Sequence, residues 1–357
     1  MKYKVTQNHW GELNDQQIFL YELSNNNGVK VHITNFGAAI QSAFVPDSKG
    51  QLADVVLGYD DLQGYINDEF YIGTVVGRFA NRIAGGKVVI NGETHQLTVK
   101  DGGFHHHGGK VGFNKKIWQS RSFTHEHGVG VILEYLSPDG EEGFPGNLLT
   151  KVTYTLNEQN QLLVNFEATT DKATLINLTQ HAYFNLAGHN NGSILNHKLL
   201  LPLKRYLPVN DMQVPTGMIT PVVGTPFDFT KFRPVGERIE KDNPQLILSR
   251  GYDHSWVIKK RHSSQLKLAA RLFEPASKRV LNVFTSEPAI HIYTGNFLDD
   301  TICGKAGSKY PFRSGICLET QHYPDAPNQS HFPSTLLKPG NTFKSSTVFE
   351  FGVSLSL

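Results

Sequence analysis

Residues 151–170 read KVTYTLNEQNQLLVNFEATT. Val152, Tyr154 and Leu156 alternate with Lys151, Thr153 and Thr155, and the alternation resumes after the polar NEQN stretch in Leu162, Val164 and Phe166. A period of two puts one set of side chains on each face of an extended strand, so the segment predicts an antiparallel hairpin. A helix would need apolar residues three and four apart, and the stretch lacks that spacing.

The same pattern spreads in both directions. QIFLYEL (17–23) and VKVHITNF (29–36) flank Asn-Asn-Asn-Gly, while KVVI and ETHQLTV flank Asn91-Gly92, a dipeptide suited to a type I′ turn. QLKLAARLF, RVLNVFT, AIHIYT and the C-terminal TVFEFGVSLSL continue it. Helical signals are short, around Asp60–Asn67 and Val235–Lys241. No Ser/Gly/Pro-rich linker divides the 357 residues, and no short repeat period or low-complexity segment is present. The expectation is an all-β protein, a large antiparallel β-sandwich forming a single domain over residues 1–357, with its site on a concave sheet face or at loop ends.

Composition narrows the functional classes. Hydrophobic residues make up 39% of the chain and charged residues 18%, enough apolar material for a packed core. The 34 basic and 32 acidic residues leave a net charge of +2 without long runs of one sign, which gives no electrostatic reason to expect nucleic acid or an anionic membrane as partner. Cys303 and Cys317 form neither a CxxC pair nor a disulfide framework, and the N-terminus lacks a continuous apolar stretch. The simpler expectation is a cytoplasmic protein with reduced thiols. Oligomeric state is not readable from the chain.

Four segments concentrate ionisable residues beside strand patterns: VGRFANRIAGG (76–86), GGFHHHGG (102–109), LTQHAYFNL (178–186) and GICLETQHYPDAPNQ (315–329). In an extended strand Glu319 shares a face with Cys317 and Gln321, so it either faces solvent or projects into a polar cleft. His181 lies between Leu178 and Tyr183-Phe184, where a lone histidine is more often a hydrogen-bonded core residue. A carboxylate and an imidazole brought together are nonetheless a sufficient base and acid near neutrality. There is no GxSxG elbow, HExxH helix or phosphate-binding loop. In the triple histidine, extended backbone would turn His105 and His107 to one side and His106 to the other, two imidazoles without a third ligand, so no metal is expected.

Taken together and in order, GRFANRIAGGKVVINGETHQL, HHGG followed by GFNKKIW, LTQHAYFNLAG, GYDHSW, IYTGNF and CLETQHYPDAPNQ resemble the aldose 1-epimerases, or galactose mutarotases. The resemblance runs from about residue 30 to the C-terminus and implies the mutarotase β-sandwich, an open sugar cleft and no required cofactor. It further implies that Glu319 is the catalytic base and His181 the catalytic acid, with Asn81, Arg82, His107 and Asp253 binding hydroxyls and ring oxygen of an aldohexose. Two positions depart from the family pattern: His106 stands where relatives often have an apolar residue, and Glu287 where they carry Gln or another uncharged residue that reaches the sugar. A second carboxylate at 287 predicts an altered sugar preference.

The implied activity is interconversion of α and β anomers of free hexoses such as galactose and glucose. With reference pKa values of about 4.3 for Glu and about 6.5 for His, a charged Glu319 and a partly protonated His181 are expected, Arg82 favouring the anion if it lies close. The alternatives are a hexose 6-phosphate 1-epimerase, with Lys110, Lys115 and Lys116 offering a phosphate contact, and a non-catalytic carbohydrate-binding protein on the same scaffold. A metal-dependent hydrolase ranks behind both.

Overall fold

A computed structural model describes residues 3–99, 103–259 and 264–355. Gly102 of the triple-histidine segment and the last two residues of TVFEFGVSLSL lie outside them. The Lys151–Thr170 hairpin sits inside a nine-stranded antiparallel sheet, where Tyr154 faces Val164 and Val152 faces Phe166. Burial along Lys151–Leu156 alternates residue by residue, as the period of two requires. Next to it across the sheet lie Phe343–Val353, Arg279–Thr285 and Lys267–Phe273.

A six-stranded sheet covers the apolar face. Its order is Tyr183–Phe184, Ile316–Gln321, Ala289–Tyr293, Asp253–Val257, Arg205–Leu207 and Thr220–Pro221. Trp256, Ile290, Ile292 and Leu318 project from one side of this sheet into the core with Val164, Leu272 and Val283 of the larger sheet. Each such fully buried aliphatic or aromatic side chain contributes roughly 1.5–3 kcal/mol. The pleat then obliges the intervening residues to face the opposite way. In the pairing register Ser255, His291 and Glu319 lie side by side in one row, and Asp253, Tyr293, Cys317 and Tyr183 in the next. One strand set therefore makes a core on one side and a polar floor on the other. A five-stranded meander over Tyr3–Asp54 completes the architecture, an antiparallel all-β sandwich.

The Asn91-Gly92 turn joins Lys87–Ile90 to Glu93–Gln96 with φ of 52° and 86°, the left-handed pair a type I′ turn demands. The helix expected near Asp60–Asn67 forms over Leu62–Asn67, with Asp61 capping the Gly64 N–H. Around Val235–Lys241 only a single 3-10 turn, Val235–Glu237, is present. The second α-helix is instead Pro244–Ser249, capped by Asn243 and started by Pro244.

Several histidines are buried neutral. His197 accepts a hydrogen bond from the Leu186 N–H at 2.9 Å through Nε2, and burial lowers its pKa to about 4. An unfolded histidine titrates near about 6.5, so between these values the unfolded chain binds more protons and stability rises with pH. The contribution is complete above about 6.5 and is lost as pH falls toward 4. Thermal unfolding at pH 5 should thus show roughly 2 kcal/mol less stability from His197 alone than at pH 7. His197→Gln, which retains a hydrogen-bond acceptor, should flatten that slope; an unchanged slope would contradict the assignment.

Candidate active site

The polar floor of the six-stranded sheet opens into a cleft of about 210 Å³. Glu319, His181, Asn81, Arg82, His107 and Asp253 all line it, although they come from five separate stretches of chain. GRFANRI and the triple histidine are joined by antiparallel pairing of Arg82–Ala84 with Phe104–His106. Beyond that pair the two segments lock reciprocally: the His107 N–H donates to Asn81 O, and the Asn81 N–H donates to His107 Nδ1, both at 3.2 Å.

His107 has φ of 47° and Asn81 φ of 65°, so the chain leaves the extended conformation at both points. The consequence corrects the alternation expected for the three histidines. His106 and His107 both line the cleft with rings 3.9 Å apart, whereas His105 is buried away from it, its Nδ1 bonded to Thr98 O at 2.8 Å. Gly108 explains the turn: a Cβ there would lie 1.8 Å from Gly77 O. The close approach that glycine permits is to another backbone segment.

His181 and Glu319 face each other with Nε2 3.6 Å from Oε1, and both are almost completely buried. Backbone bonds from His181 N–H to Thr74 O and from Gly73 N–H to His181 O fix the histidine's place, while its Nδ1 lies 3.5 Å from Cys317 Sγ. Burial lowers the His181 pKa to about 4. Burial, reinforced by the Asp253 charge and opposed by Arg82, pushes Glu319 well above the usual carboxylate range. Both shifts run against the charged pair expected from the sequence. Both groups are held neutral, with one proton between them on the carboxyl.

Arg82 lies beside Asp253: Nη2 is 3.3 Å from Asp253 Oδ2 and donates to Gln213 Oε1 at 2.7 Å. Burial would raise the Asp253 pKa, but the Arg82 charge and a 2.6 Å hydrogen bond from His291 Nε2 outweigh it and hold the carboxyl ionised, far below its ordinary value. Asp253 is thus a fixed anion, two strands away from Glu319 and roughly 10 Å from it by sheet spacing.

Glu287 requires a correction. It does not line the cleft; it is buried in the turn before Ala289–Tyr293, where its carboxylate receives a 2.7 Å hydrogen bond from His322 Nδ1. The residue of that segment reaching the cleft is His291, directly opposite Glu319 in the register. Period-two counting along AIHIYT would have found it and Tyr293 together. Gln213 and Tyr71, the latter packed against the rings of His107 and His181, carried no comparable signal.

Two of the three lysines behind the phosphate alternative are occupied elsewhere. Lys115 Nζ donates to the carbonyls of Tyr65, Ile66 and Asp68, closing the end of the Leu62–Asn67 helix, and Lys116 pairs with Glu141 at 2.6 Å. Neither they nor Lys110 line the cleft. His107, His181 and Glu319 do bring ligand atoms within 4.8 Å of one another. His107 Nδ1, however, accepts the Asn81 N–H, which places the ring proton on Nε2, the nitrogen a metal would need bare. That tautomer suits donation to a hydroxyl.

The fold is an antiparallel all-β sandwich of the galactose mutarotase type, and the cleft on its six-stranded sheet holds a buried carboxyl and an imidazole beside a second carboxylate and a guanidinium. The sequence pattern of the family described as aldose 1-epimerase matches residues 20–350. The chain is 42% identical to the galactose mutarotase of Bos taurus over 326 residues, 91% of this chain and 92% of that protein. It is 34% identical to the aldose 1-epimerase of Escherichia coli, strain K12, with 93% and 94% covered. Among solved structures, an aldose epimerase homologue from C. elegans superposes with a TM-score of 0.84 at 31% identity, covering 94% of this chain and 98% of that one. The galactose 1-epimerase from Lactobacillus acidophilus NCFM gives 0.87 at 28% identity, covering 98% and 99%. The chain belongs to the aldose 1-epimerase family, and its activity is that of an isomerase of this class.

Proposed function

We propose that the protein interconverts the α and β anomers of free hexoses such as galactose and glucose, with Glu319 as base and His181 as acid. The observation that carries the reading is the 3.6 Å spacing of His181 Nε2 and Glu319 Oε1 on the cleft floor. In a pyranose the anomeric hydroxyl oxygen O1 and the ring oxygen O5 are bonded to the same carbon. An acid and a base that serve them must stand side by side.

Glu319, as carboxylate, takes the proton from O1. The C1–O1 bond becomes a carbonyl, C1–O5 breaks, and O5 receives the proton of His181 Nε2. Rotation about C1–C2 turns the other carbonyl face to O5, and closure runs the two transfers backward, returning one proton to His181 and the other to O1. The charged pair this requires holds the same single proton as the neutral pair, so only its position changes. A bound sugar, in hydrogen bonding with both groups, replaces part of the solvation that burial removed. Asn81, Arg82, His107 and Asp253 orient the remaining hydroxyls, and positioning adds to the acid–base contribution.

The same proposal places the whole site in one domain over residues 1–357 and the protein in the cytoplasm, consistent with free thiols at Cys303 and Cys317. Among the described residues no helix is long and apolar enough to cross a membrane. Polarimetry tests the substrate assignment. Starting from pure α-D-galactose and α-D-glucose, approach to anomeric equilibrium should exceed the spontaneous rate in proportion to enzyme. A folded protein that accelerates neither sugar would refute it.

A further inference from the structure

Three histidines line the cleft outside the acid–base pair, His106, His107 and His291, and the last is tied most completely to other side chains. His291 is buried beside Glu319 in the sheet, and both of its ring nitrogens are committed to the protein. Nε2 lies 2.6 Å from Asp253 Oδ1 and Nδ1 lies 2.9 Å from Ser255 Oγ. A serine hydroxyl can donate to Nδ1, which leaves the imidazole proton on Nε2, aimed at the carboxylate. Asp253 Oδ2 faces Arg82 Nη2, and Arg82 is held from behind by Gln213. Five side chains from four separate segments thus form one continuous line: Ser255, His291, Asp253, Arg82, Gln213.

We infer that His291 is a positioning residue for sugar binding, acting through Asp253 rather than on the sugar itself. Its contact fixes the rotation of the Asp253 carboxylate, so that the lone pairs left over by His291 and Arg82 are presented to a sugar hydroxyl. Asp253 lies two strands from Glu319, at the hydroxyl-bearing side of the bound ring rather than at the reacting carbon. A carboxylate fixed before the sugar arrives need not be immobilised on binding, and this preorganisation strengthens ground-state and transition-state complexes alike. The signature is an effect on KM and on binding, with little on kcat. Ser255 supports the arrangement by fixing the tautomer.

The inference rests on the aldohexose reading above, and two measurements keep their failures apart. His291→Leu fills the same space without an N–H, while His291→Gln keeps a donor at about the right distance. KM and kcat come from mutarotation of α-D-galactose; Kd for 1,5-anhydrogalactitol, a sugar without an anomeric hydroxyl, comes from calorimetry on the full chain. His291→Leu should raise KM and Kd together by about 10- to 100-fold, the loss expected for a hydrogen bond to a charged group, with kcat within about threefold. His291→Gln should recover most of the loss. In an Asp253→Asn background, His291→Leu should add less than about twofold, because the two residues act as one unit. Unchanged KM and Kd in a folded His291→Leu protein, or a full additional loss in the Asp253→Asn background, would overturn the role of His291. An inactive wild type would instead sink the aldohexose reading.

Discussion

Glu319→Gln is expected to slow anomer exchange by about 10²- to 10⁴-fold, the usual worth of a positioned general base, and to leave affinity for a non-reacting sugar largely intact. The amide keeps the shape and can still form hydrogen bonds, but it cannot take the O1 proton. Among the described residues Glu319 Oε2 is buried with no hydrogen-bond partner, an arrangement costly to maintain unless a ligand completes it. Removing the carboxyl also removes the desolvation cost of a buried acid, so Glu319→Gln should be no less thermally stable than wild type. A separation of activity from stability in this direction is the behaviour of a functional group. A variant that kept wild-type turnover would show that the proton leaves by another route.

His181→Gln should be impaired to a similar degree, and the pH dependence should identify the reason. The reactive pair carries one proton. As pH falls, a second proton enters the pair; since burial lowers His181 to about 4, the acidic limb of kcat/KM should lie well below the ordinary histidine range. As pH rises the single proton is lost, and because burial and Asp253 raise the Glu319 pKa, the alkaline limb should lie far above the ordinary carboxylate range. The result is a broad bell whose two apparent pKa values belong to the pair rather than to either residue. His181→Gln should abolish the bell, since Gln has no proton to exchange. A wild-type profile that rises through pH 4–5 and reaches its plateau only near the free histidine value would mean that the imidazole is not desolvated during turnover.

Much of this could be read from the chain because antiparallel strands announce themselves locally. The hairpins around Asn157–Asn160 and Asn91-Gly92 needed only alternation and turn chemistry, and both formed. The N-terminal hairpin was equally legible. Asn14 and Asp15 adopt φ of 51° and 59°, and this two-residue turn pairs Tyr3–Leu13 with Gln16–Asn25, giving QIFLYEL a strand partner on its other side from VKVHITNF. The Pro244–Ser249 helix carries its own signal, Asn243 at its cap and Pro244 at its first position, whereas Val235–Lys241 makes only one 3-10 turn.

The site divides along the same line. Glu319 and His181 stood out as ionisable residues inside strand patterns, but nothing local reports that burial reverses their charge states. That depends on which other groups the fold packs around them: Arg82 opposes the rise at Glu319 but is hydrogen-bonded to Asp253, whose charge reinforces it. Glu287 is singled out by the resemblance, whereas the strand's parity singles out position 291. His107 shares the cleft with His106, instead of following His105, because its own φ is left-handed, which no two-residue period can foresee.

The most direct test of the acid–base pair is anomeric exchange in equilibrated galactose, followed by NMR saturation transfer between the α and β anomeric protons, for wild type, Glu319→Gln, His181→Gln and the double variant. Both proton transfers are required in every ring opening, so each single variant should lose nearly as much exchange as the double. Independent, multiplying losses, or a single variant that keeps wild-type exchange, would contradict the pairing of Glu319 with His181.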